Sequence, residues 1–443
     1  MGNSASSSAG DSATHRHGSL AEHVRSCSDP AVRHADGDLT FTHGFMPRTA
    51  ADIPLSGPHE AWEHVAAQLP RLAVTAHPQS VIADLPMLSA RRDDLPDDRL
   101  KRAATVLGAI AQSYWRFGVD RMFLARNRQI PAELPAVIER PWRQVCRRLG
   151  RTEVTLSTED CFFNNFTFRD PGYLDPARSY RFEDATIELL RPKVAAYGNE
   201  AERVFIAAFV EVNAVITPVV ALVCRLEEIL SDGGPEAHDE VCDVLSAVAE
   251  CARGAAKAFS RVSPRRNSRT YCDPVDLAKT FATWDVPAPG YPTGPSGSAT
   301  PVVHFFDAFI GRERYDTTLG AFASHLRNTQ LPRKHRTFFD RVQRLDVRGY
   351  VQSLARLSPA RYRATAEAFN EVVSSFAADD GFLGVHKGKV VDYLGVGTIV
   401  GRNQSTAHDQ IFIADATWTD MADKLQSARD ERTVQTLTED LPG

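Results

Sequence analysis

The residue of this chain with the clearest potential for chemistry is His386, in the segment GFLGVHKGKVVDY at 381–393. Phe382, Val390 and Tyr393 share its helical spacing, so the pattern predicts an apolar helix face that carries the imidazole. A buried neutral imidazole can bind a metal such as iron through one ring nitrogen while an acceptor holds the other. The alternative is a core histidine bonded to a backbone carbonyl. This segment by itself leaves both interpretations open.

The elements that must position His386 are predicted to be helices. Apolar residues recur at helical spacing along most of the chain, and several of these segments open with Pro or Asp, as helix starts do. The predicted helices are Pro58–Leu69, Asp98–Phe117, Pro135–Arg148, Ala201–Ser231, Pro235–Phe259, Pro301–Ile310, Leu319–Asn328, Arg333–Val342, Val347–Ala355, Pro359–Ala377 and Phe382–Leu394.

We therefore predict a mostly α fold, with a small helical domain at 41–154 and a large helical domain at 155–430. Residues 1–40 are rich in Ser, Gly, Asp and His and poor in large apolar side chains, so we expect a disordered tail there. Residues 431–443 are expected to form a C-terminal tail. Glu153–Leu156 is the one segment with the alternating pattern of a strand.

Composition excludes several classes of protein. A net charge of -5 with scattered basic residues argues against a nucleic-acid partner. The seven cysteines form no close pair, which indicates reduced thiols in a cytoplasmic protein. The apolar stretch 205–224 is interrupted by Glu211, Asn213 and Pro218, so we expect a buried core helix and no membrane span.

Two loops are candidates for contact with a ligand. Residues 285–301 are rich in Pro, Gly, Ser and Thr, and small residues let a backbone approach a ligand closely. Residues 395–409 follow the His386 helix directly and could form a mobile lid. A plain connection and an ordinary surface loop are the respective alternatives.

Short motifs occur in one order over nearly the whole chain, and their series resembles the indoleamine 2,3-dioxygenase family of haem enzymes. No single motif is specific, but the collinear set is. The motifs are Gly44-Phe45, Leu69-Pro70-Arg71-Leu72, Leu85-Pro86-Met87-Leu88-Ser89, Val106-Leu107-Gly108, Asp160-Cys161, Val210-Glu211, Ser296-Gly297, Phe306-Asp307, His335-Arg336 and His386.

The resemblance implies a two-domain helical haem protein and a set of site residues. His386 would be the proximal ligand to the iron of haem b, and no catalytic group beyond that iron is assigned. Ser296 and Gly297 would lie at the haem edge, and Asp307 near a haem propionate. The substrate pocket would be lined by Thr158, Cys161, Arg203 and Ala207.

The resemblance also implies an activity. Family members use ferrous haem to add both atoms of O2 across the C2–C3 bond of an indole, which opens that ring to an N-formyl product. The expected oxidoreductase would act on tryptophan or a tryptophan-derived aromatic substrate together with O2. We expect a monomer.

Three departures from the family pattern keep other interpretations open. The arginine that clamps the substrate carboxylate has no clear counterpart, and Arg266, Arg269 or Lys279 could replace it only after a local shift. Arg203 and Thr158 stand at an aromatic and a tyrosine position. Leu383 replaces an arginine. A relative that oxidises or rearranges another aromatic substrate, or a haem-binding protein without turnover, is therefore the alternative.

Overall fold

The protein is described here by a computed structural model. The described residues are 18–29, 36–50, 52–74, 78–117, 133–173, 175, 179–232, 237–287, 290–291, 293–399 and 417–438. Residues 400–409 of the predicted lid lie outside them.

The fold is mostly helical, as the sequence predicts. Two short antiparallel strands, β1 (Phe166–Phe168) and β2 (Leu190–Pro192), pair with Phe166 opposite Pro192. The helices are α1 (Leu20–Ser28), α2 (Glu60–Leu72), α3 (Pro78–Ala83), α4 (Leu100–Arg116), α5 (Ala136–Arg148), α6 (Glu200–Val215), α7 (Val219–Asp232), α8 (Ala237–Ser260), α9 (Pro274–Lys279), α10 (Phe281–Trp284), α11 (Pro301–Phe309), α12 (Thr318–Thr329), α13 (Arg333–Arg344), α14 (Val347–Leu357), α15 (Pro359–Ala377), α16 (Phe382–Ile399) and α17 (Thr417–Thr433).

The centre of the larger helical group is α8. It packs against α6, α7, α15 and α16, while α2, α3, α4 and α5 pack with one another. The division into a small and a large helical domain, with its boundary at residue 154, stays a prediction. Because α8 contacts both α6 and α16, it fixes the distance between the helices that flank the site.

The apolar stretch predicted as the single helix Ala201–Ser231 is two helices, α6 and α7. The break at Ile216–Pro218 has a simple cause, since Pro218 has no N–H for the helical ladder and its ring crowds the preceding turn. The segment Glu200–Asp232 is apolar enough to cross a membrane, but 78% of its most apolar window is buried inside the protein. It is therefore accounted for as a core element, and no membrane span is needed.

Three local expectations are wrong. The predicted disorder of residues 1–40 fails at α1, where Leu20 and Val24 are fully buried and the Ser19 side chain caps the helix. The C-terminal tail predicted at 431–443 begins too early, because α17 ends at Thr433 and includes Arg432. Glu153–Leu156 forms no strand; both strands of the described residues lie further along the chain.

Candidate functional site

The corner between α15 and α16 positions His386. Within this corner a Cβ on Gly384 would overlap the carbonyl oxygens of Ala378 and Asp379, and a Cβ on Gly381 would overlap that of Ser374. Only glycine permits so close an approach of two backbone segments. The tight corner sets the direction of α16 and with it the face on which His386 lies.

His386 projects into an internal cavity. Its ring lies 5.5 Å from the ring of Phe259 and 6.3 Å from that of Phe382, centroid to centroid. Among the described residues, neither ring nitrogen of His386 has a hydrogen-bond partner, so the alternative of a histidine bonded to a backbone carbonyl is not what the structure contains. Burial lowers the pKa of His386 to about 4, which keeps the imidazole neutral at pH 7. A neutral ring with a free nitrogen is the form that binds a metal.

The cavity is apolar over most of its wall. It contains about 700 Å³ of empty space, a figure that includes the solvent at its open mouth. Its wall comes from α6, α8, α11, α12, α16, α17 and the turn before α11. The apolar side chains of that wall are Phe209, Val212, Phe259, Val302, Val303, Leu319, Ala323, Phe382, Leu383, Leu425 and Ala428.

Gly297 lies directly beside His386 in the cavity wall. A Cβ on Gly297 would stand 3.6 Å from Nε2 of His386 and 3.5 Å from Cε1 of Phe209. A larger side chain at this position would therefore fill the space into which Nε2 points. Of the predicted loop 285–301, Gly297, Ser298 and Thr300 contribute to the cavity wall.

Hydrogen bonds hold the Gly297 turn to a second predicted site residue. Thr158 donates from Oγ1 to the Ser296 carbonyl at 2.9 Å and accepts from the Ser296 N–H at 2.9 Å. Both residues are buried. The structure thus brings Thr158 next to Ser296, where Thr158 holds the turn in place. Neither residue lines the cavity.

Asp307 also lies behind the cavity wall. Its carboxylate is fully buried and accepts from Nε and Nη2 of Arg432, at 2.6 and 2.8 Å, and from Nη1 of Arg312 at 2.8 Å. These two guanidinium groups outweigh burial and lower the pKa of Asp307. Asp307 is therefore ionised and fixes Arg432, which does line the cavity.

Two arginines of α17 are site residues that sequence reasoning missed. Arg429 and Arg432 line the same cavity as His386, and both are buried. Arg429 donates from Nε to the Ala377 carbonyl at 2.9 Å and pairs with the exposed Asp379 at 2.8 Å. The sequence did contain a signal, because residues three apart lie on one face of a helix. The predicted end of the large domain at residue 430 falls between the two arginines, and this hid the signal.

The other predicted pocket residues are buried but do not line the cavity. Arg203 donates from Nη1 to the carbonyls of Ile187 and Leu190, at 2.6 and 2.9 Å, and pairs with Glu200. Cys161 and Ala207 are almost fully buried. Burial raises the pKa of the Cys161 thiol well above its ordinary value, so it is a protonated, unreactive thiol.

The carboxylate clamp is not restored by a local shift. Arg266, Arg269 and Lys279 are all exposed at the surface, and none of them lines the His386 cavity. The cationic side chains of that cavity, as far as the described residues show, are Arg429 and Arg432.

A comparison with protein families decides the ancestry of this fold. The family model described as indoleamine 2,3-dioxygenase matches residues 34–276, more than half of the chain. The chain belongs to the indoleamine 2,3-dioxygenase family. No curated protein matches it. Membership in this family supports a haem-dioxygenase type of function.

The matched region ends before the His386 cavity residues of α11, α16 and α17. It contains Thr158, Cys161, Arg203 and Ala207, whereas Ser296, Asp307 and His386 follow it. The roles of the later residues therefore rest on geometry.

That geometry fits a haem. The cavity offers an unpartnered neutral imidazole, largely apolar walls, a glycine where a Cβ would fill the space, and two arginines for carboxylates.

Proposed function

We propose that this protein is a haem-dependent dioxygenase that binds haem b through His386 and opens the C2–C3 bond of an indole. The substrate would be tryptophan or a tryptophan derivative, and the product its N-formyl ring-opened form. The observation that carries the proposal is the imidazole of His386, which has no partner among the described residues and lies beside Gly297 in the wall of a mostly apolar cavity, in a chain of the indoleamine 2,3-dioxygenase family.

The chain's own residues supply binding and exclusion of water. His386 offers a nitrogen lone pair because its pKa is low, and Phe259 and Phe382 limit the rotation of its ring. Phe209 and Val302 keep the opposite side of the cavity apolar. When bound, haem supplies the iron at which O2 is activated. Because both oxygen atoms end in the product, the overall reaction needs no external reductant and no separate general base.

Arg429 and Arg432 are the residues that would hold the haem carboxylates. Both guanidinium groups reach the cavity from one helix, and an arginine binds a carboxylate in a planar, two-point manner. Asp307, which was expected near a propionate, would act indirectly, because it holds Arg432 in position. Arg429 is the more available of the two, since its acidic partner Asp379 is exposed.

The missing clamp favours an indole that is not selected by its carboxylate. Arg266, Arg269 and Lys279 lie at the surface, so an amino-acid carboxylate finds none of them in the cavity. Turnover of tryptophan and of tryptamine, which lacks that carboxylate, should therefore show KM values within a few-fold of each other. A strong preference for tryptophan would contradict this assignment. Oxidation of another aromatic substrate is the second candidate, supported by the same observation.

The decisive experiment is the ultraviolet-visible spectrum of the haem-reconstituted protein, ferric and then reduced with carbon monoxide. We expect a Soret band that shifts with carbon monoxide, and its loss or alteration in His386→Ala. His304→Ala is the control, because His304 is a buried histidine that does not line the cavity. No Soret band in the wild-type protein, or identical spectra for His386→Ala, would overturn the assignment of His386. Haem binding without turnover of any indole would contradict the dioxygenase assignment and would indicate a haem-binding protein without this activity.

A further inference from the structure

A second cavity lies elsewhere in the fold and shares no described lining residue with the His386 cavity. Its wall is built from the end of α1, residues 38–40 and 47–49, Ile53, the start of α4, Asn164, the residue after β2, and the start of α13. It holds about 1350 Å³ of empty space, measured to its mouth. Elements of the small and the large helical groups thus meet around one cavity.

Basic side chains dominate this second cavity. Its acidic lining residues are Asp29, Asp38 and Asp98. The basic lining residues are twice as many: Arg48, Arg99, Lys101, Arg102, Lys193 and Lys334. Two further carboxylates, Asp52 and Glu63, pair with Arg102, so six basic groups stand against five acidic ones. Lys101 pairs with Asp38, Arg99 with Asp98, and Arg102 with Asp52 and Glu63.

The other three cations are bound by weaker partners or by none. Arg48 donates to the Ser28 carbonyl at 2.7 Å, and Lys334 donates to the Cys27 carbonyl at 3.1 Å. Neither forms an ion pair with a described carboxylate. The ammonium group of Lys193 has neither a hydrogen-bond nor an ion-pair partner in the described part of the chain.

Lys193 is the most informative of the three. It follows β2, and its backbone N–H is fixed to the Asn165 carbonyl at 2.9 Å, so its position is defined by the strand pair. Burial lowers its pKa to about 8, with Arg102 and Lys101 adding repulsion and Asp52 and Asp38 opposing it. The side chain of Lys193 is half-buried, and an ammonium group partly removed from water is less stable when no carboxylate is bonded to it. An anion beside it would remove that penalty.

We propose that this second cavity is a binding site for a small phosphate-bearing anion, with Lys193, Lys334 and Arg48 as its cationic ligands. Three cations that approach from a loop, a strand end and a helix suit a group whose oxygens point in several directions. The volume admits a phosphorylated metabolite rather than an inorganic ion alone. A bound anion would connect α4 of the small helical group to β2 and α13 of the large one.

Isothermal titration calorimetry with inorganic pyrophosphate tests the proposal on the full chain. Wild-type protein should bind at one site, and Lys193→Met should weaken binding roughly tenfold or more, since it removes a charge-assisted hydrogen bond to the anion. Lys257→Met, an exposed lysine on α8 that is not part of the cavity, should leave binding unchanged. No binding by the wild-type protein at millimolar pyrophosphate overturns the proposal, as does equal binding by Lys193→Met.

Hydrogen exchange on the wild-type protein locates the site without a variant that has to fold. Pyrophosphate should slow exchange around residues 98–102 and 190–194, compared with sodium chloride of equal ionic strength. Protection confined to any other region overturns the assignment. Protection by sodium chloride alone would show a general salt effect and would also overturn it. Because the second cavity shares no described lining residue with the His386 cavity, these outcomes are independent of whether haem binds.

Discussion

Arg432 and Asp307, 125 residues apart in the chain, form a buried two-point ion pair, Nε to Oδ1 at 2.6 Å and Nη2 to Oδ2 at 2.8 Å. This pair fastens α17 to α11. The guanidinium group also lies 5.6 Å from the ring of Phe376 on α15, cation to centroid. The last helix is therefore attached to both α11 and α15 by a single side chain.

Loss of this ion pair should destabilise the haem-free protein. Arg432→Met leaves the buried Asp307 with one arginine, and breaking a buried pair typically costs about 3–5 kcal/mol. Because Arg312 remains, we expect a loss of about 3 kcal/mol in urea unfolding. Arg333→Met, which breaks the exposed pair with Asp36, should cost less than about 1 kcal/mol. Equal losses of unfolding free energy in the two variants would contradict a stabilising role for the buried pair.

Haem with capped carboxylates tests the role of Arg429. Haemin dimethyl ester lacks the negative charges that this guanidinium group would bind, so wild-type protein should bind it more weakly than haemin. In Arg429→Met the preference for haemin should shrink by roughly tenfold, the equivalent of 1.4 kcal/mol. Absorbance titration measures both affinities. An unchanged preference in Arg429→Met would remove Arg429 from the haem site while leaving His386 untouched.

Substitution of Gly297 should separate haem binding from folding. In Gly297→Ala the added Cβ meets its neighbours at ordinary contact distances, so the Soret band should persist. The branched side chain of Gly297→Val would occupy the space in front of Nε2 of His386, and we expect it to abolish haem uptake. Far-ultraviolet circular dichroism should show the same helix content for both variants. Full haem uptake by Gly297→Val would place the haem elsewhere.

Arg203 should prove to be a structural residue. Arg203→Met removes the donors to the carbonyls of Ile187 and Leu190 and leaves these buried acceptors unpaired, at a cost of about 2–4 kcal/mol. Arg203→Lys should retain part of this stability. For any substrate that the enzyme turns over, KM should change little in Arg203→Lys. A large increase in KM without loss of stability would return Arg203 to the substrate pocket.

His304 should make stability fall in mild acid. Burial lowers its pKa to about 3, with Asp307 opposing the shift and Arg327 and Arg432 adding to it. The unfolded chain titrates this group near its ordinary pKa of about 6.5 and so binds more protons than the folded chain below that pH. The contribution of neutral His304 to the free energy of unfolding is therefore fully present above pH 6.5. It is lost progressively as the pH falls toward 3.

The matched variant for this pH effect is His304→Phe. It keeps an apolar ring in the same buried position and removes both the titration and a buried Nε2 that has no hydrogen-bond partner. The slope of unfolding free energy against pH, between pH 6.5 and 4, should be smaller in His304→Phe. Identical slopes would show that other groups dominate the acid response.

Periodicity predicted most helices and placed His386 on the right element, because helix formation depends on spacings within a few turns. The same local information misjudged residues 20–28, whose burial depends on distant contacts. Leu20 N–H, for example, bonds to the carboxylate of Glu227 on α7. The continuous apolar pattern also predicted one helix through Pro218, although proline has no N–H for the helical hydrogen bonds and the helix breaks there.

By itself, the sequence determined the mostly helical fold and the membership in the family, since both follow from residue type and spacing. It placed His386 on an apolar helix face but left open whether the imidazole bonds to a backbone carbonyl. Tertiary structure decided which residues face His386. It placed Gly297, Arg429 and Arg432 around one cavity and turned Arg203 toward the β2 segment. Side-chain direction and ion pairing across 125 residues depend on how helices pack, and no local pattern contains that information.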